Sequence, residues 1–195
     1  YKLKSKQLYK RMSTYSLLRI LVFLATGMGV YITFNYWQIS ILIGVAGILL
    51  FIYLLSKYTD VKQQRTLYNA LAKINEEEIT IASGDFHNRE KGLEFQDPKH
   101  FYSLDIDLFG RGSFFQFMNR TTINEGKEQL AEALKANEIV HVEARQEAIK
   151  ELASKPKWRQ FYSANANLVT VETPAKHIIN WLEHYKMFIP KIMKW

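Results

Sequence analysis

Two acidic residues separated by one position are the first candidates for chemistry in this sequence. Asp105 and Asp107 lie in the segment Ser-Leu-Asp-Ile-Asp-Leu-Phe-Gly, and two carboxylates can chelate a hard cation through oxygen. The same segment also fits a short extended strand in which Leu104, Ile106 and Leu108 are buried and both acids face water. That alternation explains the spacing without a metal, so we favour the extended segment.

A second candidate group combines basic and aromatic side chains. It consists of Lys155, Lys157, Trp158, Arg159, Phe161 and Tyr162. Such residues can bind a nucleic-acid backbone. Long basic and aromatic side chains also cover the surfaces of ordinary helices. DNA contact at this group is therefore one of two interpretations, and no recognisable nucleic-acid-binding module supports it.

Other sites of chemistry are not indicated. His177 and His184 are seven positions apart, which is too long for a shared metal ion on one helix. The sequence has no cysteine, no phosphate-binding glycine-lysine loop, no Gly-x-Ser-x-Gly elbow and no His-Glu-x-x-His. We expect no catalytic residue, no metal site and no cofactor within these 195 residues.

The distribution of charge points to a membrane surface. Residues 1–66 contain nine Lys and Arg residues and one acid, Asp60, whereas the whole chain carries a net charge of +7. The first third therefore carries +8 and the remainder −1. Basic residues concentrated beside apolar segments are typical of contact with anionic lipid headgroups.

Two apolar stretches lie within that basic region. Residues 17–34 and 39–55 are each long enough to cross the hydrocarbon layer as a helix, with a short uncharged turn at 35–38 between them. Lys and Arg flank both outer ends, so the positive-inside rule predicts a multi-pass protein of the cell (inner) membrane with its soluble part in the cytoplasm. A cleaved signal peptide is the alternative, but no small-x-small cleavage site precedes a polar segment. The spacings Ala25-x-x-x-Gly29 and Ser40-x-x-x-Gly44 fit close helix packing.

The elements after the hairpin are predicted to be helical, which makes the chain all-α. We divide it into a basic N-terminal segment (1–16), a transmembrane hairpin (17–55), a stalk helix and linker (56–103) and a helical domain (104–195). The helical domain is marked by a capping box at Thr122-x-x-Glu125, by Pro156 in a first turn and by an N-cap pair at Thr173-Pro174. The short terminal run 189–195 has no stop signal, so we interpret the chain as part of a longer protein.

Residues 104–152 resemble the core, or lever, domain of the MutS family of DNA mismatch-repair ATPases. The matching residues are Gly112-Ser113-Phe114-Phe115, Asn119-Arg120-Thr121-Thr122, Gly126, Leu130, Leu134 and Arg145-Gln146-x-x-Ile149-x-x-Leu152. They cover about a quarter of the chain. The chain departs from the family in two places: a membrane hairpin replaces the mismatch-reading and connector domains, and Lys135-Ala136-Asn137-Glu138 replaces a proline-containing turn.

The resemblance implies a scaffold role for these residues. Ser113 or Thr122 would cap helices, Gly126 would allow close helix packing, and Arg145 would donate to neighbouring helix ends or acids. By the same resemblance, the complete protein would bind ATP and Mg²⁺ through a domain beyond Trp195, would form a homodimer and would contact DNA. The alternative is a membrane-anchored scaffold for protein–protein interaction with no DNA role.

Overall fold

The computed structural model describes residues 1–136, 140–169 and 175–185, and these residues form helices and turns without a strand. The predicted all-α class is confirmed. The predicted N-cap pair, Thr173 and Pro174, lies outside the described residues.

Two long antiparallel helices form the N-terminal part of the fold. Helix α1 covers Lys2–Ile32 and helix α2 covers Trp37–Ala82, with a turn at residues 33–36. Each is long and apolar enough to cross a membrane, and their most apolar stretches are almost entirely exposed. Trp37 and Gln38 belong to α2, so the turn lies two residues earlier than predicted and has the same length.

The two helices meet along a seam with a seven-residue repeat. The seam positions of α1, all buried or partly buried, are Ser5, Leu8, Met12, Tyr15, Arg19, Val22, Thr26, Gly29 and Thr33. Those of α2 are Ser40, Gly44, Gly47, Phe51, Leu54, Tyr58, Val61, Arg65, Tyr68 and Ala72. Alternating spacings of three and four residues are typical of coiled-coil packing. The seam runs through both the apolar stretches and the basic segments beyond them.

Small residues let the helices approach closely at two points of the seam. A Cβ atom added to Gly47 would clash with the side chain of Thr26, and one added to Gly29 would lie 3.1 Å from Ile43 Cγ2. A Cβ atom at Gly44 would have no heavy atom within 4 Å. The closest approach therefore involves Gly47 and not the predicted Gly44. The predicted Gly29 lies at the second close point, and the predicted Ser40 contacts α1 by donating its hydroxyl to the Val30 carbonyl over 3.3 Å.

The basic N-terminal segment is helical and packs against the stalk, which we define as residues 56–82 of α2. Lys2 forms an ion pair with Glu76, and the Ser5 hydroxyl donates to Asn69 Oδ1 over 2.5 Å. The rings of Tyr1 and Tyr68 lie 6.2 Å apart. A helix continues from the second apolar stretch into the stalk, as predicted, and ends at Ala82.

A small apolar core follows the stalk. It is formed by Leu108, Phe109, Phe115 and Ala131, with Phe95, Tyr102, Leu130 and Leu134 packed around them. Phe115 is fully buried, with the rings of Phe95 and Phe109 at 5.7 and 5.4 Å. Gly92 has φ +64°, and a Cβ atom there would lie 2.6 Å from the Phe115 ring. The core takes residues from both sides of the division predicted at 103/104.

The remaining elements are short. A 3-10 turn covers Leu93–Phe95, and the helices are α3 (Phe114–Met118), α4 (Asn124–Lys135), α5 (Val142–Ala153), α6 (Pro156–Leu168) and α7 (Ala175–His184). Pro156 occupies the first turn of α6, as predicted. Helix α6 packs on α2, where Gln160 Nε2 donates to Asn75 Oδ1 over 3.0 Å.

The extended segment predicted around Asp105 and Asp107 is wrong. Residues 101–107 form consecutive turns, in which the Ile106 amide donates to the Tyr102 carbonyl and the Leu108 amide to the Ser103 carbonyl. Leu104 and Ile106 are 44% and 55% exposed, and only Leu108 of the three apolar residues is buried. Backbone hydrogen bonds typical of turns and helices therefore form in this segment in place of the predicted extended strand.

Candidate functional site: the cleft between the stalk and α6

A cleft of about 1160 Å³ lies where the stalk, the segment before α4 and helix α6 meet. Its walls carry both groups of residues that the sequence singled out. The family-motif segment contributes Thr121, Thr122 and Gly126, and the basic-aromatic group contributes Trp158 and Arg159. Residues separated by more than thirty positions in sequence therefore share one surface.

The turn at Asn119 builds one wall of the cleft. Asn119 is buried and ends α3. Its side-chain Oδ1 accepts hydrogen bonds from the Thr121 amide (2.9 Å) and the Thr121 hydroxyl (2.7 Å). Such a local Asn turn fixes the backbone without help from a helix or sheet, so the motif Asn-x-Thr is a structural turn in this chain.

Two arginines tie this turn to the stalk. Arg89 Nη2 donates to the Asn119 carbonyl at 2.5 Å, and Arg89 Nη1 lies 3.5 Å from Glu77 Oε2. Arg120 binds Glu78 with two nitrogens, Nε to Oε1 at 2.5 Å and Nη2 to Oε2 at 3.1 Å. Two-point contacts between Arg and a carboxylate restrict orientation as well as distance. The end of the stalk and the motif turn are therefore held in one arrangement.

Ser113 and Gln116, both buried, form a scaffold behind this wall together with the exposed Gly112. Gly112 has φ +77° and donates its amide to Gln116 Oε1 at 2.8 Å, while Ser113 accepts from the Gln116 amide and caps α3 as predicted. Gln116 Nε2 donates to the carbonyls of His87 (3.0 Å) and Arg89 (2.6 Å). Gln116 is fully buried. Sequence reasoning missed this residue, although a polar residue among Phe114, Phe115 and Phe117 was a usable signal.

The predicted roles of Thr122 and Gly126 are wrong. Helix α4 begins after Ile123 without a side-chain cap, so Thr122 does not form a capping box with Glu125. A Cβ atom at Gly126 would make ordinary contacts of 3.5 Å with Ile123 and Thr121, which belong to the turn just before the same helix. Gly126 lines the cleft and does not mediate a close helix–helix contact.

Arg145 and Gln146 lie on α5, where both are exposed, and neither lines the cleft. Arg145 Nη2 donates to the Val140 carbonyl at 3.0 Å, just before the start of α5. The predicted role of Arg145 at a helix end is consistent with this bond. The pair does not join the other family-motif residues at the cleft.

The members of the basic-aromatic group have different surroundings at and around α6. Lys155 precedes the helix and bonds Glu151 at 2.5 Å; this hydrogen bond and the positive charge of Lys155 lower the pKa of Glu151. Lys157 is exposed. Trp158 stacks on Tyr162 with ring centroids 5.5 Å apart and an interplanar angle of 16°. Beside this pair, Arg159 has no side-chain ion pair with any described residue.

Ion pairs of Lys127 with Glu90 and Glu94 hold the other side of the motif segment. Lys127 lies 3.1 Å from Glu90 and 3.5 Å from Glu94 and is largely buried. Burial lowers the pKa of Lys127, but hydrogen bonds and charge interactions with Glu90 and Glu94 outweigh it, so the pKa is raised overall. The first turns of α4 are therefore fixed to the loop that precedes the core.

The other sequence candidates lie elsewhere. Asp105 and Asp107 are exposed in the turns before the core, and Asp107 has φ +47°. His177 and His184 are both on α7, where His184 Nδ1 contacts the Asn180 carbonyl at 2.8 Å. Within the described part of the chain, no group of three or more acidic or His residues is placed to hold a metal ion.

Known proteins do not identify this arrangement. No protein-family model, no curated protein and no solved structure matches the chain.

Proposed function

We propose that residues 1–195 anchor a MutS-like ATPase to a membrane and connect the anchor to its DNA-dependent and ATP-dependent parts. The single observation that carries this proposal is the continuity of α2. One helix of 46 residues begins in the apolar hairpin, and its last turns are joined to the motif turn by the Glu78–Arg120 ion pair and by Arg89, which contacts both Glu77 and the Asn119 carbonyl. A rigid helix paired to a fixed turn can transmit displacement between a bilayer and a soluble domain.

The anchor is proposed to be multi-pass in the cell (inner) membrane, with both ends cytoplasmic. The basic residues flank the outer ends of the two apolar stretches and avoid the turn at 33–36, which the positive-inside rule assigns to the opposite face. The chain has no cysteine, so single cysteines can report topology. We expect Asn35→Cys to react with a membrane-impermeant thiol reagent in intact cells. Lys99→Cys should react only after permeabilisation, and the reverse pattern would overturn the orientation.

The ATPase is proposed to lie C-terminal to residue 195 and to bind ATP and Mg²⁺, with the complete protein acting as a homodimer. Phosphoryl transfer needs a phosphate cradle and a positioned metal, and residues 1–195 contain no glycine-lysine loop. We expect Mg²⁺-dependent phosphate release from the complete protein and none from residues 1–195. A complete protein without turnover would contradict the family assignment.

DNA binding by residues 1–195 is proposed to be weak and indifferent to mismatches. The cleft offers Trp158, Tyr162 and Arg159 for stacking and charge, but a mismatch reader needs a wedge that exploits the weakened base stack. Affinity should fall steeply between low and physiological salt. Titration of matched and mismatched duplexes at two salt concentrations tests this, and a salt-resistant preference for the mismatch would overturn it.

A protein-interaction scaffold is the second candidate, and helix α7 favours it. Ile178, Ile179, Trp181 and Leu182 are between 48% and 61% exposed, and clustered exposed apolar side chains mark interaction surfaces. The two candidates give opposite results in the phosphate-release assay on the complete protein. Lack of turnover and of DNA binding would favour the scaffold.

A further inference from the structure

Arg19 is the one charged residue in the apolar stretch 17–34, and it lies on the helix seam. Its Cζ atom is 5.2 Å from the centroid of the Phe51 ring and 5.3 Å from that of Tyr58. Seven residues of helix span about 10.5 Å, so the guanidinium lies midway between the two rings. This places its charge level with residues 54–55, where the second apolar stretch ends.

The charge of Arg19 is not neutralised by the part of the chain that the structure describes. Its Nε atom is buried without a hydrogen-bond partner, and none of the ion pairs between described residues includes it. Asp60 is the only acid in residues 1–66. The faces of Phe51 and Tyr58 stabilise a cation in part, but a guanidinium partly removed from water still requires hydrogen-bond acceptors.

We propose that Arg19, held against the Tyr58 ring, binds the phosphate of an anionic phospholipid at the basic end of the hairpin. A guanidinium presents paired donors that match two phosphate oxygens. Headgroup phosphates lie just outside the hydrocarbon layer, within reach of an Arg side chain that extends toward the interface. This inference rests on the membrane anchorage proposed above and is independent of the MutS resemblance.

Arg65 provides an internal comparison. Its Cζ atom lies 4.7 Å from the Tyr9 ring, and its Nε atom is also buried without a partner. However, Arg65 is ten residues beyond Leu55, which on a helix is about 15 Å. That distance places it outside the headgroup layer, so the same side chain against the same kind of ring should not bind lipid.

The test compares Arg19→Gln with the matched control Arg65→Gln in the full chain. Each variant is reconstituted into nanodiscs of phosphatidylcholine with phosphatidylglycerol, and native mass spectrometry measures the lipids that remain bound. We expect Arg19→Gln to lower the preference for phosphatidylglycerol about fivefold and Arg65→Gln to leave it unchanged. Inorganic phosphate in solution should not displace the bound lipid.

Each outcome decides one claim. Equal lipid preference in the two variants would overturn the site at Arg19, and displacement by inorganic phosphate would show a free-phosphate site instead. A wild-type chain that does not float with vesicles would contradict membrane anchorage itself. If circular dichroism shows that Arg19→Gln loses helix, Arg19→Lys replaces it, and this variant should show an intermediate preference because it keeps the charge but loses the paired donors.

Discussion

The helical hairpin and the region of residues 83–136 are stabilised in different ways. In the hairpin, the two helices meet along a seam with a constant period, so each contact resembles the next. In residues 83–136, buried polar groups and a few aromatic rings join segments far apart in sequence, with Phe115 and Gln116 at the centre. The hairpin should therefore tolerate most single changes except at its closest contacts, whereas the second region should depend on a few residues.

Phe115→Ala should give the largest effect. The side chain is fully buried and packs between Phe95 and Phe109, so its removal leaves a cavity and should lower the free energy of unfolding by about 4 kcal/mol. Phe101→Ala is the matched control because Phe101 is 92% exposed. Urea unfolding followed by Trp fluorescence measures both, and similar losses would show that the small core is not the stabilising element.

Gly47→Leu should come next and should act on the hairpin alone. A side chain at Gly47 meets Thr26 at once, whereas Gly44→Leu points into open space. Overpacking of this kind costs about 3 kcal/mol, so we expect Gly47→Leu to separate α1 from α2 and Gly44→Leu to have little effect. Thermal unfolding in detergent measures the difference. Equal stability of the two variants would contradict the close contact between Gly47 and Thr26.

Gln116→Ala should destabilise residues 83–136 by about 2 kcal/mol, because it removes a fully buried side chain and the three part-buried hydrogen bonds that it makes. The groups affected are the Gly112 amide and the His87 and Arg89 carbonyls. Hydrogen exchange should accelerate in residues 87–92 and leave α1 protected. Uniform acceleration throughout the chain would show that the two regions unfold as one unit.

Lys127→Met should have the smallest effect, about 1 kcal/mol, because the side chains of Glu90 and Glu94 are 63% and 53% exposed and solvent screens their attraction to Lys127. The folded-state pKa of Lys127 is raised, so its stabilisation is fully present below the unfolded pKa and is lost as the pH rises through the folded value. The stability difference between wild type and variant should be constant from pH 7 to about pH 10 and should shrink above it. A stability difference that grows with pH would contradict stabilisation by the ion pairs of Lys127 with Glu90 and Glu94.

Prediction from sequence succeeded where the pattern was local and failed where a partner was remote. The helices through both apolar stretches and the stalk, and Pro156 in the first turn of α6, agree with the prediction, since each depends on neighbours within a few residues. The turn between the apolar stretches lies two residues earlier than predicted. The sequence pattern predicts Thr122 as the N-cap of α4, whereas the N-cap is Ile123, whose side chain makes no capping hydrogen bond. The turn at Asp105 was interpreted as extended because alternation alone cannot show that the amides of Ile106 and Leu108 bond back to residues 102 and 103.

The sequence by itself determined that the chain is helical and that two helices are long and apolar enough to cross a membrane, because helix periodicity and apolar length are properties of contiguous residues. Only the tertiary structure placed Arg19 between Phe51 and Tyr58, joined Arg120 to Glu78, and brought Trp158 to the motif turn. These contacts join residues that are 32 to 42 positions apart, and their energies depend on burial and orientation. A local pattern of residue types indicates neither the burial nor the orientation of such a contact.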